Sequence, residues 1–294
     1  MRRWWKPALG AAALVVVIAA GLYAFRGEIA LVLLERTLPD TLRADPIAAL
    51  PDGLHVGLCG SGAPMPSPER GGPCVGVVAG RRLVVIDAGG GAARTLARMG
   101  FAPSRVERVL LTHFHADHID GLGELMLQRW VGGGHDRPLP VHGPSGVESV
   151  VDGFNAAYAR DRLYRVAHHG PHVVPPSGAG GVAAPIAIGE TEPVTVLNEG
   201  GLRITAFRVE HAPAEPAVGY RVTYGGRVAV ISGDTRRSPA VEAAAKDADL
   251  LVHEALSPTL TAMIGAAAEA AGRDNLAAIM HDIVDYHTTP EEAA

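Results

Sequence analysis

Lysine is almost missing from this 294-residue chain: it occurs only at positions 6 and 246, so nearly all the positive charge is arginine. A surplus of basic charge is missing too. The formal net charge is -5, which argues against nucleic acid as a partner held by a dominant electrostatic grip. Cysteine is scarce. Cys59 and Cys74 alone exclude a disulfide-built scaffold, and neither sits in a metal-type C-x-x-C. In an oxidising compartment the two could pair, or they could remain as two buried thiols. No repeat recurs at solenoid spacing, and Gly89–Gly91 lack the spacing of a nucleotide loop. What remains is 48% hydrophobic and 19% charged residues, an ordinary balance for a globular enzyme with length enough for a sizeable core.

The clearest regional signal stands at the N-terminus. "MRRWWKP" carries Arg2, Arg3 and Lys6 beside two tryptophans, then Ala8 to Phe25 runs without charge to Arg26. The length and basic flank predict a single membrane-spanning anchor over residues 1–26, with the N-terminus inside. A cleaved signal peptide is the other reading. Either places the rest of the chain outside the cytoplasm, periplasmic or secreted. Residues 27–53 are expected to be a juxtamembrane segment, helical over Glu28–Leu38 and then a linker, before a domain spanning 54–294.

Within that domain strands and helices alternate, which points to an α/β fold. "LHVGLC" is a strand, "CVGVVAG" and "RRLVVIDAG" form a hairpin, Ala92–Gly100 is helical, and "VERVLL" is a buried strand before a helix over Leu122–Val131. A short strand in "PLPVH" and a helix from about Val147 follow. Residues 165–193 show no periodic pattern and read as an extended loop or flap. Two hairpins, turning at 198–201 and 225–226, and a strand in "ADLLVHEA" complete the pattern.

The chemistry concentrates in "THFHADHID". Alternate residues of an extended segment point the same way, so His113 and His115 can reach one cation, while a turn after Ala116 aims Asp117 and His118 at a second position. Mixed imidazole and carboxylate ligands suit zinc, or less specifically manganese or iron. So many ionisable groups beside a buried strand are costly unless something binds them. Asp87, His211 and Asp234 each follow a strand next to small or Pro/Gly residues, where they can join or buttress the cluster. His168, His169 and His172 lie in the patternless stretch, as a solvated loop or the rim of a substrate entrance.

"THFHADHIDG", preceded by "IDAGGG" and followed by "VEH" and "SGDT" in that order, resembles the metallo-β-lactamase fold superfamily. "LCGSGAPMPSPERGGPC", "VHGPSG", "LVHEA" and "DYHTTPEEAA" are similar to its branch of tRNA 3′-processing endonucleases (tRNase Z) and arylsulfatase-like relatives. The resemblance, from about Leu54 onward, implies a four-layer αβ/βα sandwich with two zinc ions at one edge. It implies His113, His115 and His211 on the first metal, Asp117 and His118 on the second, and Asp234 bridging them. Asp117, His287 and Glu254 are the catalytic residues it implies, with His287 as general acid oriented by Glu254. It also implies a further metal histidine in a strand after the helix that "TTPEEAA" begins. The chain ends at Ala294 within that helix, so a truncated sheet edge and a fragment of a longer product are expected. The expected activity is hydrolysis of a small-molecule sulfate or phosphate ester, arylsulfatase-like, by water activated between the metals. The alternatives are a tRNase Z-like phosphodiesterase and a non-catalytic metal-binding remnant. A homodimer is allowed by the resemblance.

Overall fold

The computed structural model describes residues 5–65 and 67–294. Arg2, Arg3 and Trp4 of the basic flank lie outside the described residues. The chain divides into two units, Met1–Pro46 and Ile47–Ala294.

The first unit holds helices α1 (Trp5–Ala24) and α2 (Arg26–Arg43). The expected single membrane-spanning helix is not supported. Among the described residues no single helix is long and apolar enough to cross a membrane; Gly10–Ala24 and Arg26–Arg43 pass only as a pair, bent by 67°. The apolar run ends at that bend, and α2 interleaves its leucines with Glu28, Glu35, Arg36 and Asp40. The expected linker differs as well. α2 continues through Pro39 to Arg43, and α3 (Pro46–Ala49) buries Ile47 completely in the core of the second unit.

The second unit contains strands β1 (Leu54–Gly60), β2 (Cys74–Ala79), β3 (Arg82–Ile86), β4 (Val106–Leu110), β5 (Leu139–Gly143), β6 (Gly181–Pro185), β7 (Val194–Glu199), β8 (Leu202–Val209), β9 (Ala217–Tyr224), β10 (Arg227–Ile231) and β11 (Leu250–Val252). They form two sheets, ordered β1-β2-β3-β4-β5-β6 and β11-β10-β9-β8-β7. In the first, β1 to β3 are antiparallel and β3 to β6 parallel. In the second, only β10 and β11 run parallel. The helices are α4 (Ala92–Arg98), α5 (Ala116–Ile119), α6 (Leu122–Gly133), α7 (Val147–Ala157), α8 (Ala159–His169), α9 (Pro239–Ala245), α10 (Pro258–Ala270), α11 (Asp274–Asp282) and α12 (Pro290–Ala293).

The pleat explains the layering. In β3, Leu83 and Val85 pack with Leu96, Leu122 and Val151 of the helices, whereas Val84 and Ile86 pack with Ile204, Tyr220 and Val222 of the other sheet. Side chains alternate across a strand, so a strand apolar at every position is covered on both faces. A third cluster joins Phe207, Val209 and Val230 to Val241 of α9. Helix, sheet, sheet and helix therefore stack in the expected four-layer order.

The expected irregular stretch over 165–193 is partly regular. α8 extends to His169 and β6 pairs with β5 along its length. "GVAAP" carries little strand propensity of its own. Its backbone is fixed instead by β5 and by Asn155, which accepts from Gly181 N–H at 3.0 Å and donates to Gly181 O at 2.9 Å.

Candidate metal centre

The carboxyl ends of β3, β4, β8, β10 and β11 meet at one edge of the sandwich. Val218 N–H donates to Thr112 O at 2.9 Å, and the Tyr220 hydroxyl donates to Leu111 O at 2.6 Å. These two bonds fasten the end of β4 to the opposite sheet. They bring the His113–His118 segment to His211, after β8, and Asp234, after β10. His113 Nε2 lies 3.0 Å from His115 Nδ1, and His211 Nε2 lies 3.3 Å from the same atom. Ligand nitrogens of a tetrahedral zinc site, each about 2.0–2.1 Å from the ion, stand about 3.3 Å apart, so these three fit one cation. On the other side, His118 Nε2 lies 3.3 Å from Asp234 Oδ2 and 3.8 Å from Asp117 Oδ2. That nitrogen is buried and makes no hydrogen bond. An orphaned inward-facing nitrogen between two carboxylates is the donor set a divalent cation takes.

The opposite ring nitrogens of His113, His118 and His211 are held. Thr112 gives its hydroxyl proton to Asp87 Oδ2 at 2.9 Å and so accepts from His113 Nδ1 at 3.1 Å. His118 Nδ1 donates to Asp87 Oδ2 at 2.9 Å. His211 Nδ1 donates to Tyr286 O at 3.0 Å. For these three rings the network fixes the tautomer with Nε2 toward the cation, as outer partners of metal-binding imidazoles do, while His115 presents Nδ1. Asp87 accordingly buttresses the cluster, as the sequence suggested, from a left-handed backbone with φ of 57°.

Charge follows the same division. Burial, with His118 beside it, lowers the His113 pKa to about 2, so it is a neutral, ligand-ready imidazole. Burial also leads in lowering that of His211. For His118 burial opposes protonation, but Asp87 and Asp234 outweigh it and raise the pKa well above the ordinary value. Burial raises the pKa of Asp117. Asp234 is also penalised by burial, yet His118 beside it holds its carboxyl well below the carboxylate range.

These groups open into a cleft of about 390 Å³ whose lining includes Asp117, His118, Asp234, Glu254 and His287. Glu254 Oε1 accepts from His287 Nδ1 at 2.9 Å, from Thr288 N–H at 3.1 Å and from Thr235 N–H at 3.2 Å. All the sequence-predicted site residues thus converge. His168, His169 and His172 do not line this cleft. Sequence reading missed Thr112 and the Tyr286 carbonyl. The first stands directly before His113 but has no metal-type side chain, and the second is a backbone atom with no sequence signature. Cys59 and Cys74 are paired, with Cα atoms 4.9 Å apart, which resolves the two readings of these residues.

The superfamily profile described as "Metallo-beta-lactamase superfamily" matches residues 68–275. The chain is 33% identical over 243 residues to Ribonuclease Z of Mycobacterium marinum, covering 82% of this chain and 80% of that protein. It is 32% identical, over the same shares, to Ribonuclease Z of Mycobacterium bovis. Human tRNase Z, short form, superposes with a TM-score of 0.54 at 22% identity, covering 81% of this chain and 85% of that one. The yeast long-form RNase Z gives 0.56 at 16% identity, covering 88% of this chain and 38% of that one. These two likenesses support the fold.

The chain belongs to the metallo-β-lactamase superfamily, whose fold implies a divalent metal held by groups such as these. Within it the chain falls in the tRNase Z-like branch, and it is a hydrolase acting on ester bonds. The argument against nucleic acid is corrected by these relatives, ribonucleases by name. A net charge of -5 sums over the whole chain and says little about the local field at one cleft.

Proposed function

We propose that the protein is a zinc-dependent phosphodiesterase of the tRNase Z type, acting at the 3′ side of precursor tRNA. The preference for an arylsulfatase-like activity gives way because the ribonuclease Z relatives share about a third of their residues across most of this chain. The observation that carries the chemistry is the His287–Glu254 pair, which lines one cleft with Asp117, His118 and Asp234, next to the group formed by His113, His115 and His211. His113, His115 and His211 would hold one zinc, Asp117 and His118 the other, and Asp234 both. Bound there, the pair would polarise the scissile ester and make a water acidic enough to attack near neutral pH. His287 keeps its Nδ1 on Glu254 and presents Nε2 to the leaving oxygen, where it delivers a proton. Burial alone would lower the His287 pKa, but the hydrogen bond and charge of Glu254, with Asp234 and Asp117, raise it. The acid form therefore persists to higher pH than in a free imidazole.

The test supplies zinc-loaded protein with precursor tRNA, bis-p-nitrophenyl phosphate and p-nitrophenyl sulfate. Cleavage of the first two is expected. Turnover of the sulfate with both phosphodiesters intact would return the arylsulfatase-like reading. An extracytoplasmic location, the reading of the apolar run Ala8–Phe25, competes with a precursor tRNA substrate rather than accompanying it. A reporter fused after Arg26 tests that location, and cytosolic activity of the fusion would refute it.

A further inference from the structure

One wall of the cleft includes Ser61, Gly62, Ala63, Pro64, Arg70 and Pro73 of the connection between β1 and β2, and the Cys59–Cys74 bond closes that connection at its base. Cys59 sits where the pairing of β1 with β2 shifts register between Leu58 and Gly60. Cys74 begins β2 and forms part of the cleft wall. Beyond it the chain packs against the backbone of Asp117 with no room for a side chain. A Cβ on Gly72 would fall 2.4 Å from the Asp117 carbonyl oxygen, and one on Gly89 would fall 2.1 Å from it. Gly72 N–H donates to Gly90 O and Gly89 N–H to Pro73 O, each at 3.0 Å, and Ala88 N–H donates to His118 O at 2.9 Å. The route from sulfur to the Asp117–His118 turn is thus backbone throughout. His211 takes its orientation from the Tyr286 carbonyl and His113 from Thr112, which Asp87 holds through its side chain; none of these three residues belongs to this connection.

We propose that the Cys59–Cys74 bond is a positioning element for the Asp117–His118 side of the centre, so that breaking it weakens the second metal position and spares the first. The proposal rests on the two-metal reading above. An open bond returns conformational freedom to the connection, and the close packing of Gly72 and Gly89 on the Asp117 carbonyl is what that freedom dissolves.

The test counts zinc per chain by mass spectrometry after equilibrium dialysis, in oxidised protein, in protein reduced with a trialkylphosphine, and in the double variant Cys59→Ser/Cys74→Ser. The phosphine breaks the S–S bond, takes an oxygen atom from water to become its oxide, and leaves two thiols. The serine variant excludes those thiols as new ligands. Zinc is expected to fall from about two per chain to about one in both altered forms. The cobalt(II) absorption of the three-histidine position should persist, and reoxidation of the unaltered chain should restore the second equivalent. Two equivalents retained in both altered forms would overturn the inference. So would equal loss from both positions, which marks the bond as general support of the fold. An oxidised chain that binds one equivalent or none would overturn the two-metal reading itself, and this inference with it.

Discussion

What an inward-facing imidazole nitrogen can do is set by what the other nitrogen of its ring touches. Asp87 holds both Thr112 and His118, so it orients two neighbouring rings without reaching the cation position itself. Asp87→Asn keeps the shape but loses the charge and an acceptor. Zinc affinity should fall about 10–100-fold, measured by competition with a chromophoric chelator. Glu254 plays the matching part for His287. Because Glu254 raises the His287 pKa against the pull of burial, activity that needs protonated His287 is lost as pH rises through that raised value. Glu254→Gln removes the charge, so the alkaline limb of kcat/KM on bis-p-nitrophenyl phosphate should move to lower pH. A limb that stays in place would show that His287 is not the proton donor. His113, His115, Asp117 and His118 were legible from spacing alone, because a short extended segment and one turn fix where all four point. Thr112 was not legible, since its role depends on Asp87 lying 25 positions earlier in the chain.

Strands and turns were read with varying success for reasons that lie in their surroundings. β3 and β10 are apolar on both faces after a leading arginine, as is the end of β4 at Val109 and Leu110, and such runs are recognisable without any partner in view. β6 is not, because Asn155 and β5 hold a sequence that has no preference of its own. α2 continues through Pro39 to Arg43, although a proline inside a helix removes one backbone hydrogen bond and crowds the carbonyl four residues earlier. One of the two hydrogen bonds that fasten the end of β4 to the opposite sheet comes from a phenol. Tyr220 is fully buried, and its hydroxyl caps the Leu111 carbonyl two residues before His113. Tyr220→Phe leaves that buried carbonyl without its partner, which should cost about 1–3 kcal/mol in urea unfolding and loosen the end of β4 that carries the ligands.

Across the whole molecule, acid sensitivity should come partly from a group remote from catalysis. Burial, then the charge of Arg108, lowers the His142 pKa from 6.5 to about 4. The unfolded chain therefore binds a proton first as pH falls below 6.5. Stability contributed by neutral His142 is present above that value and is lost progressively toward pH 4. His142→Gln should show a smaller fall in urea midpoint between pH 7 and pH 5 than the unaltered chain. The sequence by itself determined the alternation of strands and helices, the identity of the metal-type side chains, and their order along the chain. These are local properties, written in period, spacing and residue chemistry. Only the tertiary structure decided that β4, β8 and β10 end at one edge, that Cys59 pairs with Cys74, and that Tyr286 turns a carbonyl toward His211. Each of those depends on residues many positions apart meeting across two packed sheets, and the meeting is settled by which apolar faces bury one another rather than by any short stretch of the chain.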